Sequence, residues 1–188
     1  MSHGARETEI KLAMTDVKAA RALLRSAGFL VSRPRVFESN TVFDTRKLAL
    51  RKSGCLLRIR EAGRKATLTF KGTVRPGPHK SRLEIETEIR GPAALAAIFT
   101  NLGYVPVFRY EKYRTEFTIG AAAGVATVDE TPIGVFMELE GAPRWIDRTA
   151  RRMGFSKSDY IKASYGRLYL MWCEKRGKRP NHMVFRGS

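Results

Sequence analysis

Charged and apolar residues alternate along this chain with a period of two, segment after segment. That repetition constrains the fold more than any other feature. In ETEIKL at 7–12, Glu7, Glu9 and Lys11 fall on one side of an extended strand, and Ile10 and Leu12 on the other. CLLRIR sets Arg58 and Arg60 opposite Leu57 and Ile59, and KATLTFKG sets Thr67, Thr69 and Lys71 opposite Leu68 and Phe70. RLEIETEIR places Arg82, Glu84, Glu86, Glu88 and Arg90 against Leu83, Ile85 and Ile89. In VFRYEKYRTEF, Lys112, Arg114 and Glu116 alternate with Tyr113, Thr115 and Phe117. GVATVDET carries Asp129, and GVFMELEG carries Glu138 and Glu140 opposite Met137 and Leu139. One such strand alone reads as half-buried, its polar face in water. A whole series describes a sheet with one strongly charged face.

Helices interrupt the series. Val17, Ala20, Leu23, Leu24 and Ala27 form an apolar stripe for a helix capped at Thr15 and stopped at Gly28. A second helix starts at Pro92 and runs through Leu95, Ile98, Phe99 and Leu102 to Gly103. FLVSRPRVFESNTVFDT between them is expected as two extended segments broken around Pro34. Asp44 and Thr45 then open a loop containing Lys47, Arg51 and Lys52. The turn TVRPGPH is rich in Pro and Gly and is expected to be mobile. From Pro143 the pattern turns helical to about Met153, and again from Ser158. ETEI occurs at 7–10 and again at 86–89, a weak sign of two related halves. Residues 1–174 read as one domain, and the basic, irregular residues 175–188 as a flexible tail.

The 188 residues, 43% of them hydrophobic, suffice for a substantial core. With 35 Lys and Arg against 18 Asp and Glu, the net charge of +17 favours a polyanionic partner. No apolar run approaches membrane-spanning length, and no signal peptide opens the chain. Cys55 and Cys173 lack metal-ligand spacing, so a cytoplasmic protein with reduced thiols is expected. His3, His79 and His182 sit in terminal or loop-like sequence without a catalytic neighbour.

Two arrangements satisfy the alternation. In a sandwich the charges face solvent. In a closed barrel with helices packed outside, they line the interior, where unpaired charge costs several kcal/mol per group. A metal-chelated triphosphate would compensate that interior: Arg and Lys bind phosphate oxygens, and Glu and Asp offer hard ligands to Mg²⁺ or Mn²⁺. Periodicity leaves both arrangements open.

ETEIK resembles the E-x-E-x-K signature of the CYTH, or triphosphate tunnel metalloenzyme, superfamily. TVFDT at 41–45 is similar to that family's Y-F-D-T segment, with Val42 in place of Tyr. LRIR, LTFKG, RLEIETE, EKYR, the Asp129 segment and GVFMELEG follow in the family's order, and Ser164 and Tyr165 resemble part of its C-terminal helix. The layout is most similar to the bacterial class IV adenylate cyclase-like branch. The resemblance implies an α+β fold built on a closed antiparallel barrel of about eight strands around a charged tunnel. It implies that Lys11, Arg58, Arg60, Lys71, Lys112 and Arg114 grip a triphosphate, joined by Arg82. It also implies that Glu7, Glu9, Asp129, Glu138 and Glu140 bind Mg²⁺ or Mn²⁺, with Glu86 preferred over Glu84 as a further ligand. Lys11, Arg58, Arg60 and Glu138 are assigned to catalysis.

The same side chains serve water attacking a terminal phosphorus and a ribose 3′-hydroxyl attacking the α-phosphorus of ATP. Hydrolysis of an inorganic, thiamine or nucleoside triphosphate is favoured, because it needs no nucleoside pocket. Conversion of ATP to cyclic AMP and pyrophosphate is the alternative, and a non-catalytic polyphosphate- or RNA-binding module a further one. The expected partner is a small triphosphate, with nucleic acid less favoured and no membrane contact; the oligomeric state, a homodimer included, stays open.

Overall fold

The computed structural model describes residues 4–120 and 124–187, so His3 lies outside the described residues. The elements run β1 (Ala5–Met14), α1 (Val17–Ser26), β2 (Leu30–Thr45), α2 (Ala49–Lys52), β3 (Leu56–Ala62), β4 (Lys65–Lys71) and β5 (Lys80–Ile89). They continue with α3 (Pro92–Asn101), β6 (Tyr104–Thr118), β7 (Gly124–Thr131), β8 (Gly134–Gly141), α4 (Pro143–Arg152) and α5 (Tyr165–Glu174). The strands close into one antiparallel barrel in the order β1-β5-β4-β3-β2-β6-β7-β8. This is the α+β barrel the alternation allowed, and closure excludes the sandwich.

The apolar core lies outside the barrel wall. Ile10 and Leu12 of β1, Phe117 of β6, Val128 of β7, and Met137 and Leu139 of β8 point outward and are buried under α1 and α4. Ala20 and Leu24 supply the α1 contact; Trp145, Ile146 and Ala150 supply that of α4. The helices therefore dry the outer face of the sheet and leave its charged face inside. At Gly124 the wall and α4 approach so closely that an added Cβ would meet the Trp145 ring and the Glu140 carbonyl oxygen, each at 2.6 Å.

Several local expectations are corrected. Asp16, not Thr15, caps α1, its Oδ1 accepting the Ala19 N–H at 2.8 Å. The stretch around Pro34 is not two segments but one long strand. The missing Pro N–H shows only as register shifts between Val31 and Val36. Asp44 does organise the following loop: it accepts N–H groups from Thr45, Leu50 and Arg51 at 2.7–2.9 Å, which winds residues 49–52 into α2. The turn before β5 is docked: His79 Nε2 lies 2.7 Å from Asp147 of α4, and Lys162 donates to the Gly77 carbonyl at 3.0 Å.

No helix starts at Ser158. Residues 157–159 make a single 3-10 turn, Ile161 pairs with Lys11 through two backbone hydrogen bonds, and Ser164 caps α5. The reason lies in β1: its pairing with β5 ends at Glu9, and the exposed edge at Lys11 takes Ile161 as a substitute strand. In the basic end, read from the sequence as a flexible tail, several backbone groups are paired. Met183, fully buried, exchanges backbone hydrogen bonds with Arg109 and Glu111 where β6 runs beyond its β7 partner. His182 accepts the Arg109 N–H and Glu111 accepts that of Phe185, so the segment is stitched on at both ends.

Gly124→Ala is expected to destabilise the fold by about 1–3 kcal/mol, since both neighbours are rigid. A lowered urea midpoint at unchanged slope checks it.

Candidate functional site

Residues directly opposed in neighbouring strands share a face, so the register identifies the barrel's lining. Glu9 stands opposite Glu140 and Lys80, Lys11 opposite Glu138, and Glu7 opposite Arg82. Lys71 faces Glu84, and Thr69 faces both Arg58 and Glu86. Asn40 faces Arg60 and Tyr110, Glu38 faces Lys112, and Arg114 faces Asp129. Every site residue predicted from the sequence is thus on the inner face. Together they surround a cavity of about 1150 Å³, which Lys11, Arg58, Arg60, Lys71, Arg82, Lys112, Arg114, Glu7, Glu9, Glu86, Glu138 and Glu140 all line. Asp129 stands behind this lining, fully enclosed.

The charges are interlocked. Lys11 Nζ lies 3.1 Å from Glu9 and 3.1 Å from Glu138. Burial opposes the Lys11 charge, yet the two carboxylates lift its pKa above the usual lysine range. Burial likewise opposes ionising Glu9, but Lys11 and Lys80 hold it far below ordinary carboxylates. Lys71 reaches both Glu7 oxygens at 2.6 Å and Glu84 at 3.0 Å. Deeper in, Lys112 at 2.8 Å, two Arg114 N–H groups at 2.6 Å and the Tyr165 hydroxyl at 2.7 Å converge on Asp129. Arg114 also contacts Glu138. Asp129 therefore orients Lys112 and Arg114 and has no direct view of the cavity.

On the opposite wall Arg58 donates to the Tyr110 hydroxyl at 2.9 Å and to Thr69 at 3.1 Å, while Arg60 donates to Asn40 at 3.3 Å. The Nε–H groups of Arg58 and Arg82 are enclosed with no acceptor at hydrogen-bond distance, Glu7 lying 3.6 Å from that of Arg82.

The two adjacent acids of β5 part company. Glu84 is drawn beside Glu7 by Lys71, whereas Glu86, opposite Thr69, accepts its hydroxyl at 2.9 Å and is 44% exposed. Lys80, Glu38, Tyr110 and Tyr165 also belong to the site and escaped the sequence reading. Lys80 Nζ sits 2.5 Å from Glu9; burial and the adjacent Lys11 charge bring its pKa down to about 8, against the pull of Glu9. It was legible by carrying the Arg82–Glu84 alternation two residues back. Tyr165 had no such signal, because only tertiary packing brings α5 onto the barrel, where its ring lies 5.2 Å from Lys11 and 5.3 Å from Lys112.

The oxygen donors Glu7, Glu9, Glu138 and Glu140 suit a hard divalent cation. Among the described residues no three metal-ligating side chains form a ready-made cage, since Glu7, Glu9 and Glu138 are each turned onto a lysine or arginine. Glu140 has no cation within 4 Å among the described residues. Partial burial and then the charges of Glu7 and Glu9 push it up to about 7. An uncompensated carboxylate beside three others is where added positive charge is most favoured, so the residues fit the metal.

A closed eight-stranded barrel with acids and bases meeting around an inner cavity defines a charged-tunnel protein. The CYTH domain model matches residues 5–164, and the chain belongs to the CYTH family, whose members bind triphosphates and are commonly triphosphatases or adenylate cyclases. A Methanocaldococcus jannaschii protein, provisionally named an adenylate cyclase, is 27% identical over 176 residues, covering 85% of this chain and 95% of that protein. A Vibrio parahaemolyticus structure with the same provisional name superposes with a TM-score of 0.73 at 22% identity, covering 88% of this chain and 98% of that one. A Hippeastrum protein named for adenylyl cyclase, with a dominant triphosphatase activity, superposes at 0.62 and 19% identity, covering 93% and 97%. These two share the fold. No helix among the described residues is long and apolar enough to cross a membrane.

Glu140 also sets a pH dependence. A carboxyl raised to about 7 in the fold binds its proton more tightly than the unfolded chain does. Its stabilising effect is complete below about 4.5 and lost as pH rises through 7. Without divalent cation, Glu140→Gln is therefore expected to match the parent at pH 4.5 and to exceed it by about 1 kcal/mol at pH 8 after solvent screening. Thermal denaturation at the two pH values checks this.

Proposed function

We propose that the protein is a divalent-metal-dependent triphosphatase that hydrolyses a small triphosphate inside the barrel. The observation that carries the reading is the convergence of Lys11, Arg58, Arg60, Lys71, Arg82, Lys112 and Arg114 with Glu7, Glu9, Glu138 and Glu140 on one cavity. A triphosphate chelated by a divalent cation would pair with both sets. Glu7, Glu9, Glu138 and Glu140 would hold Mg²⁺ or Mn²⁺, which would neutralise phosphate charge and acidify an attacking water.

The chain's own groups do the rest. Arg58 and Arg60 offer planar, multiply donating guanidinium groups to one part of the phosphate chain, and Lys112 and Arg114 to another. Asp129 and Tyr165 fix Lys112 and Arg114 in place before substrate arrives, so little reorganisation is needed as charge builds on the leaving phosphate. Lys11 ties Glu9 to Glu138 and keeps both ionised as ligands. Water needs no positioned nucleoside, whereas cyclisation requires a 3′-oxygen held in line with the α-phosphorus.

Two tests follow. Incubation with tripolyphosphate or ATP, with Mg²⁺ and Mn²⁺, is expected to release inorganic phosphate. Cyclic AMP and pyrophosphate from ATP, with tripolyphosphate untouched, would replace hydrolysis by cyclisation. Glu138→Gln is expected to lower kcat at least a hundredfold while far-ultraviolet circular dichroism stays unchanged. Near-parental turnover at limiting metal would remove Glu138 from the metal site.

A further inference from the structure

The cavity does not account for the charge of this protein. Among the described residues the cavity is lined by thirteen basic side chains and eight acidic ones, a net charge of +5. Of the 35 Lys and Arg and 18 Asp and Glu, 22 basic and ten acidic residues therefore lie elsewhere, and they carry most of the positive excess.

Part of that excess lies on α5 and the segments flanking it. Between residues 160 and 187 stand Lys162, Arg167, Lys175, Arg176, Lys178, Arg179 and Arg186, with Glu174 as the sole acid. None of the seven appears in an ion pair among the described residues. Aromatic rings lie among them. Phe108 and Tyr169, both at the cavity wall, are 5.9 Å apart, and Tyr169 stacks on Trp172 at 6.2 Å with planes 17° apart. Arg176 and Lys178 sit 4.5 and 5.0 Å from the Trp172 ring centroid. The backbone beneath is anchored by the Lys178 N–H on Cys173 and by buried Met183, so these cations occupy set positions, unlike those of a solvated tail.

We infer that this face, which runs outward from the cavity rim at Phe108, Lys162, Arg167 and Tyr169, is a docking surface for single-stranded nucleic acid. A strand's phosphates match the unpaired cations, and its bases match a row of aromatic rings, the combination that binds single strands without sequence preference. A solvating coat would need no rings, and the +17 charge would repel itself without a polyanion to relieve it.

The test uses a fluorescently labelled oligouridine of about 12 nucleotides with a 5′-hydroxyl end, so that no triphosphate is present. Anisotropy of the full chain is expected to show micromolar or tighter binding at about 0.1 M salt, with affinity falling steeply as salt rises. Arg176→Glu with Arg179→Glu should weaken binding at least tenfold and flatten the log–log salt slope by about one to one and a half. Trp172→Ala should weaken binding several-fold with the slope unchanged, which simple charge attraction does not produce. Thermal midpoints verify that both variants fold. The inference is overturned if the oligonucleotide fails to bind, if the charge reversal leaves affinity intact, or if stoichiometric tripolyphosphate displaces the strand. It is equally overturned if a duplex of that length binds better, or if vesicles of anionic phospholipid bind and the strand does not.

Discussion

Lys11 between Glu9 and Glu138 is the contact on which the barrel interior depends. Each of these groups, buried alone, would cost several kcal/mol, and removing one leaves the others uncompensated. Placing acids and bases on alternate positions of neighbouring strands lets closure of the sheet bring most of these charges to a partner. The same closure turns Ile10, Leu12, Met137 and Leu139 outward, where α1 and α4 can bury them. Driving force and function are thus separated by the thickness of one sheet. The apolar face supplies the folding free energy, and the polar face is held ready by ion pairs.

Such an interior is rigid before any ligand arrives. Asp129 accepts from three side chains and Glu7 from the Lys71 ammonium, so the cationic groups are aimed in advance. Preorganised charge is effective in a site that excludes water, because no dipoles need to turn during reaction. One exception is informative. Glu140 lacks a cationic partner among the described residues, although the same cavity is lined by several arginines and lysines. A metal-bound polyphosphate brings a cation to the first and an anion to the second.

Much of this was legible from residue order. The period of two picked out the charged face of β1, β3, β4, β6 and β8, because side-chain direction in a strand is a local property; that this face turns inward was implied only by the family resemblance. What required the fold was anything set by register or by distant segments. The neighbours Glu84 and Glu86 share one face, and only the pairing of Lys71 with Glu84 distinguishes them. Glu38 was overlooked because its segment, though read as extended, lacks the charged alternation of the other strands: Asn40 and Val42 follow it on the same face. Tyr165 and Met183 lie in segments without strand periodicity, and what places them is an edge left open elsewhere in the barrel.

Those open edges carry a consequence for how the molecule is made. Lys11, near the start of the chain, finds its missing neighbour in Ile161, and β6 finds its own in Met183. The gap beside Lys11 cannot be filled until Ile161 has been made, and that on β6 not until Met183 has, so the strands can pair with one another well before either edge is covered.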